Sequence, residues 1–451
     1  MFVTDIQTVN DLAIFNREGG IYTLYDRTAT RGGAQALESW LRYPMSDAGK
    51  INQRTGIIRF FLSSGTEFAF DRTIFDSAGQ YLGERDERTR LSDQQQSLGQ
   101  RLSGLVASDA QYKQLVRGLH NTIDLLHQLQ AFIGRPDVSN NKDYGGEREL
   151  IAALLSEPSF APFLTGSPKS KLPNDQLAAY DSILRFRHHK TVTRLLLHIY
   201  DLDAYLSIGA AAKEKGYVFA EAEAFSADSP VRVRLENVKH PAVANAKGND
   251  ITIDREKNIV FLTGANMAGK STFMKSVGIA VYLAHAGFPV AAKRMEFTAM
   301  DGMFSTINLP DNLGMGASHF YAEVLRAKKV AQELHTGKRL FVLFDEMFRG
   351  TNVKDAGEAT ILIVEGFARK TDSLFIISTH IIEAGDVLRQ KADTIQYRYL
   401  PTKMDGHKPV YTYQLEEGIT EDRHGMVIIR NEGILTMLEK NFPNLTAIKG
   451  S

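Results

Sequence analysis

The 451-residue sequence predicts two successive domains, an all-α domain over residues 1–230 and an α/β domain over residues 231–451 built on a parallel sheet. Three observations predict this. Before residue 230, apolar residues recur at three- and four-residue steps, the mark of helices with one buried face. After it, short apolar runs rich in β-branched and aromatic side chains alternate with helical stretches. Between the two textures, Ser226 to Pro230 has turn composition and marks the expected seam.

In the first half, Val192, Leu195, Leu196, Ile199, Leu202, Leu206 and Ile208 line one helical face. Lys213, Lys215 and Gly216 end that helix, with cations near the negative end of its dipole and a residue free to adopt the left-handed cap. Tyr112, Leu115, Leu119, Ile123, Leu126 and Ile133 form a second stripe, and the two are candidates to pack together as long antiparallel helices. The stretch between them is broken by Gly145, Gly146, Pro158, Pro162, Pro168 and Pro173.

In the second half, Asn258–Thr263, Arg339–Phe344 and Ser373–Ser378 read as strands of one sheet. The most apolar stretch, Val277–Ala292, contains His285 and Pro289; it is too short to span a bilayer and reads as a buried helix followed by a turn. Composition narrows the chemistry further. The chain has no cysteine, which excludes disulfides, thiol catalysis and cysteine-ligated metals. Its 53 Lys+Arg balance 53 Asp+Glu, so contact with nucleic acid would rest on local patches. The N-terminus lacks the basic-then-apolar run of a signal peptide, and the expected location is cytoplasmic, with no membrane partner.

The strand Asn258–Thr263 runs into Gly264, Ala265, Asn266, Met267, Ala268, Gly269, Lys270, Ser271 and Thr272, which fill every fixed position of G-x-x-x-x-G-K-S/T. Glycines let such a loop curl so that successive amides face phosphate oxygens, and the following helix adds its positive end. Lys270 is expected on the β- and γ-phosphates, and Ser271 on Mg2+. The second strand ends in Asp345 and Glu346, placing carboxylates where ligands of α/β sheets bind. Asp345 is expected to hold the metal through water, and Glu346 to polarise the attacking water. The third strand delivers Thr379 and His380 to the same edge, with His380 a candidate to sense the γ-phosphate. Taken alone, the acidic pair also reads as an exposed turn and the histidine as a structural residue; the phosphate-binding loop gives them their functional reading.

At these motifs the chain resembles the MutS family of DNA mismatch-repair ATPases, whose ATPase domain belongs to the ABC superfamily. The family's loop, Thr-Gly-Pro-Asn-Met-Gly-Gly-Lys-Ser-Thr, stands here as Thr263-Gly-Ala-Asn-Met-Ala-Gly-Lys-Ser-Thr272. Its next signature corresponds to Asp311–Phe320, containing Gly316 and Ser318, with Glu323 following. Asp345-Glu346-Met-Phe-Arg-Gly350-Thr-Asn352 matches its Asp-Glu-x-Gly-Arg-Gly-Thr-Ser, and Lys239-His-Pro241 its Arg-His-Pro. Tyr25-Asp-Arg-Thr-Ala-Thr30 with Gly33, Leu37, Trp40 and Leu41 is similar to the start of the family's helical core, or lever.

The resemblance implies a P-loop, ABC-type ATPase domain preceded by a core/lever domain, using ATP and Mg2+. It implies a homodimer with shared active sites, in which Ser318 faces the γ-phosphate held by the partner. The lever-like sequence begins almost at Met1, so a short member without mismatch-reading and connector domains is expected. The interval from Trp40 to Phe225 leaves little room for a DNA clamp, expected to be absent or vestigial. Phe219-Ala-Glu221 matches the mismatch reader's Phe-x-Glu, but its position before the ATPase half makes the match a coincidence. Alanines at 265 and 268, Phe348, Asn352 and Arg423-His-Gly425 depart from the family pattern, and Ala246-Lys-Gly-Asn249 leaves the adenine platform unassigned. Two functions are weighed: a DNA-binding ATPase in mismatch repair or related DNA processing, and an ATP-switched protein-interaction module that has lost DNA recognition. Intact Lys270, Asp345 and Glu346 argue against a protein that binds nucleotide without hydrolysing it.

Overall fold

The computed structural model describes residues 2–91, 105–139, 141–166, 172–307, 319–348, 350–405, 408–420 and 433–439. Two compact units alternate along the chain. One gathers Met1–Leu24, Tyr43–Asn52 and Lys215–Ser451; the other gathers Tyr25–Arg42 and Gln53–Glu214. This differs from a single cut at residue 230, and specific contacts of the N-terminal residues explain why. Asp11 Oδ2 accepts from Ser305 Oγ at 2.7 Å and from the Ile307 amide at 2.9 Å. Val3 bridges to Gly302 in parallel. Asp5 pairs with Arg326 and, at 2.6 Å, with Lys329. Burial alone would raise the Asp5 pKa, but hydrogen bonds from Arg326 and Lys329 outweigh it and hold the carboxyl well below its usual range. The seam expected at Ser226–Pro230 falls inside the α/β unit, to which the chain returns for the last time at Lys215.

Strands of the α/β unit are numbered in chain order: β1 Glu221–Glu223, β2 Arg232–Val238, β3 Asn249–Asp254, β4 Ile259–Gly264, β5 Arg294–Thr298, β6 Gly302–Thr306, β7 Leu340–Phe344, β8 Leu374–Ser378, β9 Ile395–Leu400, β10 Thr402–Asp405, β11 Lys408–Tyr411 and β12 Glu416–Glu417. The larger sheet has the order β12-β9-β4-β8-β7-β6 and is parallel except for β12. The three strands expected from sequence are β4, β7 and β8, adjacent at its centre. All five residues of β7 and of β8 are buried, as in a parallel sheet covered on both faces. Phe344, Phe367 and Phe375 stack in series beneath it, with centroids 6.0 and 4.8 Å apart. A second sheet, β1-β5-β2-β3, is antiparallel apart from the β1–β5 pair.

Helix Lys270–His285 follows β4 and is buried along most of its length. Gly278 permits its close approach, since a Cβ there would stand 2.7 Å from Leu343 Cδ1. His285 closes the helix inside the core: Nδ1 donates to the Val281 carbonyl at 2.8 Å and Nε2 accepts from the Met300 amide at 3.0 Å. That pairing fixes the neutral tautomer, and burial pushes the imidazole down to about 4. The expected buried helix and turn are therefore present, with the turn at Gly287, φ +74°.

The helical unit carries both sequence stripes as long helices, Leu105–Ile133 and His189–Lys215, and Gly216 takes φ +65° after the second. The main neighbour of helix Leu105–Ile133 is not His189–Lys215 but Phe75–Gly83. Gly118 is the reason: a Cβ there would meet Tyr81 Cβ at 2.4 Å, so only glycine lets the two helices touch. The lever-like motif has a direct physical role. Asp203 accepts from the amides of Ala29 and Thr30 at 2.8 Å each and from Thr30 Oγ1 at 2.7 Å. At Gly33 a Cβ would lie 2.2 Å from Asp203 Oδ2. A π-helical segment, Ser182–Arg187, joins two helices of this unit. Its Arg185 pairs at 2.5 Å with Asp181, the last residue of the preceding helix, both fully buried, and the Asp181 carboxylate also accepts from the Tyr81 hydroxyl and the Leu91 amide.

Candidate functional site

The loop Gly264–Lys270 leaves the C-terminal end of β4 and turns directly into helix Lys270–His285. Its curl is local and specific. Gly264 has φ +144° and Gly269 φ +100°, and the exposed Met267 has φ +68°. A Cβ on Gly269 would approach Tyr413 Cδ1 to 2.9 Å, so the backbone there is bare on the side that faces Tyr413. Ala268 is buried, its amide donating to the Ala265 carbonyl at 3.2 Å. Asn266 and Thr272 are exposed.

Lys270 is buried and lies along the loop, with Nζ donating to the carbonyls of Gly264 at 2.8 Å and Ala265 at 3.2 Å. Burial lowers its pKa, and the carboxylates of Glu346 and Asp345 oppose that shift. Ser271 Oγ donates to Asp345 Oδ2 at 2.5 Å. Asp345 sits just beyond β7, its amide donating to the Thr306 carbonyl at 2.9 Å. On Glu346 the backbone takes φ +56°, a left-handed conformation unusual for a non-glycine residue. The turn sends consecutive side chains to separate partners: Asp345 to Ser271, Glu346 to His380, whose Nε2 lies 2.7 Å from Oε1. Lys270, Ser271, Asp345, Glu346 and His380 thus converge from the ends of β4, β7 and β8. Ser318 with its Gly316 neighbourhood, and Arg423 to Gly425, lie outside the described residues.

Two features escaped the sequence reading. Ser378, the last residue of β8, donates from Oγ to Asp345 Oδ1 at 2.5 Å and accepts from the Glu346 amide at 2.9 Å. A cavity of about 450 Å3 opens beside the loop, lined among others by Ala246, Asn249, Thr272, Phe273 and Tyr413. Asn249 pins the Tyr413 segment from both sides: Nδ2 donates to the Tyr413 carbonyl at 3.0 Å and Oδ1 accepts from the Leu415 amide at 2.7 Å. The sequence offers only a faint signal for either, a serine closing a strand at the ligand edge and an aromatic in a polar stretch.

The arrangement suits a polyanion carrying a hard cation. Hydroxyl and carboxylate oxygens are the donor set that Mg2+ prefers, and Mg2+ commonly takes only one or two protein ligands beside substrate phosphates and water. Among the described residues no cluster of three or more His, Asp or Glu is gathered for a metal, and no helix is long and apolar enough to cross a membrane.

Comparison with known proteins gives a consistent result. The family model for MutS domain III matches residues 7–335, well over half of the chain, and that for MutS domain V matches residues 260–440. The DNA mismatch repair protein MutS of Staphylococcus haemolyticus (strain JCSC1435) is 23% identical over 94% of this chain and 58% of its own length. That of Streptococcus sanguinis (strain SK36) is 22% identical over 93% of this chain and 59% of its own. The Thermotoga maritima MutS is 28% identical over 49% of this chain and 29% of its own length. The chain therefore spans less than two thirds of the length of these curated relatives. Carrying the family's domain III and domain V along its length, the chain belongs to the MutS family.

Proposed function

We propose that the protein is a Mg2+-dependent ATPase whose P-loop, ABC-type α/β unit drives a helical lever. The observation that carries this reading is the convergence of Lys270, Ser271, Asp345, Glu346 and His380 on one loop, with Ser271 Oγ 2.5 Å from Asp345. The loop amides and the N-terminus of helix Lys270–His285 hold the phosphates, Lys270 exchanging its loop carbonyls for phosphate oxygens. Ser271 and Asp345 hold the metal, which when bound neutralises charge on the β- and γ-phosphates. Glu346 orients the attacking water, and His380, hydrogen-bonded to Glu346 Oε1, restricts the directions that carboxylate can take while reaching for the γ-phosphate. The cavity beside the loop accepts the base, with Tyr413 as its aromatic wall.

Dimerisation through the α/β units, with Ser318 of each subunit completing the other's site, makes ATP the agent that closes the pair. Closure is passed to the helical unit, Tyr25–Arg42 with Gln53–Glu214, as movement. The relatives are named as DNA mismatch repair proteins, which supports DNA processing, in mismatch repair or a related process, as the setting. The test is the ATP hydrolysis rate of the full chain with homoduplex, mismatched and branched DNA, with and without chelator. Hydrolysis abolished by chelation and stimulated by DNA, with stimulation falling steeply as salt rises, is the expected result. Chelator-resistant hydrolysis contradicts the metal assignment, and indifference to every DNA contradicts the DNA setting.

A further inference from the structure

We propose that Ser378 is a positioning residue of this site, setting the Asp345–Glu346 pair through a single hydroxyl. The inference rests on the metal-dependent hydrolysis proposed above. A serine hydroxyl has one hydrogen to give and lone pairs to receive. Here the hydrogen goes to Asp345 Oδ1 at 2.5 Å, and a lone pair takes the Glu346 amide at 2.9 Å. Asp345 is consequently gripped on both oxygens, by Ser378 on Oδ1 and Ser271 on Oδ2. The Glu346 amide is fixed at the residue whose φ of +56° turns the two carboxylates apart.

The hydroxyl is buried within the sheet. Ser378 is fully buried at the end of β8, paired with Leu262 of β4 on one side, while Ile377 before it pairs with Phe344 of β7 on the other. Sheet register thus places one oxygen between the carboxylate assigned to the metal and the peptide of the carboxylate assigned to the water. Without it, Asp345 keeps only its Ser271 contact among the two hydroxyls, and the Glu346 amide loses its side-chain acceptor.

Ser378→Ala in the full chain tests this, because removing the hydroxyl separates metal placement from phosphate binding. Without divalent cation, affinity for a fluorescent ATP analogue is expected to stay within about twofold, since the loop amides and Lys270 are untouched. Affinity for Mn2+, read by electron paramagnetic resonance with a non-hydrolysable triphosphate bound, is expected to weaken about tenfold, the loss of one charge-assisted hydrogen bond. The catalytic rate is expected to fall at least as far, with the half-saturating Mg2+ concentration raised. Glu346→Gln in parallel is expected to lose rate while keeping Mn2+ affinity. Wild-type Mn2+ affinity and rate in Ser378→Ala overturn the proposal; so does an equal loss of metal-free nucleotide affinity and melting temperature, which indicates mere structural damage. A wild-type protein that binds Mn2+ with triphosphate but never hydrolyses it sinks the ATPase reading alone, because the Mn2+ titration still judges Ser378.

Discussion

Replacing Gly269 by alanine probes the loop at its tightest point. Gly269 has φ +100°, a region L-residues enter only at a cost of about 1–3 kcal/mol, and the added Cβ would stand 2.9 Å from Tyr413 Cδ1. The strain falls on the conformation that presents the loop amides, so the mutant loop relaxes when free and pays on binding. At about 1.4 kcal/mol per tenfold, triphosphate affinity should drop roughly 5- to 150-fold. The Tyr413 ring is partly exposed and able to swing away, which removes the clash and leaves the strain. Because the ring can move, the glycine substitution should cost about the same in a Tyr413→Ala background as in the wild type, and the two losses should add. Gly337→Ala is the control, with φ +83° and no atom within 4 Å of its added Cβ: it should lower the melting temperature without touching affinity. Titration with a fluorescent ATP analogue, beside thermal melts, reads the wild type and all four variants. Affinity within twofold of wild type in Gly269→Ala at an unchanged melting temperature would show that the left-handed backbone at Gly269 is not needed to bind the triphosphate.

Glu346→Gln should bind nucleotide normally and lose turnover by about a hundredfold or more, the usual scale for a lost general base; steady-state rates near wild type would remove Glu346 from its role. In dimers shown to be mixed, combining Lys270→Ala with Ser318→Ala subunits should restore about one competent site per pair, whereas no recovery counts against sharing of sites. In the helical unit, Asp181→Ala leaves the fully buried Arg185 guanidinium without its counter-charge and should cost about 3–5 kcal/mol in urea unfolding. Replacing Asp181 with leucine and Arg185 with methionine together should cost much less; an equal loss would show that the pair is not coupled.

What could be read from the sequence follows the range of the interactions involved. The loop from Gly264 to Thr272, the Asp345–Glu346 corner and His380 each announce themselves within a few residues of a strand end, and the three strands were placed to within a residue. The buried faces of helices Leu105–Ile133 and His189–Lys215 were largely legible, because periodicity is local, although Tyr112, the first residue of the shorter stripe, is exposed. The partners of those faces were not: that Gly118 meets Tyr81 depends on a helix outside the stripe. Tyr413 lies 164 residues from the Asn249 that holds it, and Asp11 lies 294 from Ser305, so no spacing pattern joins either pair. The N-terminal segment looked like one more helix of the first half, although its Asp5 and Asp11 are committed to the α/β unit. In the sequence Ser378 is only the end of a strand; its use becomes visible when β7 and β8 lie side by side.

In the proposed function a triphosphate and Mg2+ occupy the corner formed by Lys270, Ser271, Asp345 and Glu346. A crystal structure with a non-hydrolysable ATP analogue and Mg2+ at saturating concentration tests it most directly. The expected structure has Lys270 Nζ on the β- and γ-phosphate oxygens, a metal beside Ser271 Oγ and Asp345, and the base in the cavity against Tyr413. Phosphates bound elsewhere, or a metal whose ligands include neither Ser271 nor Asp345, would contradict it.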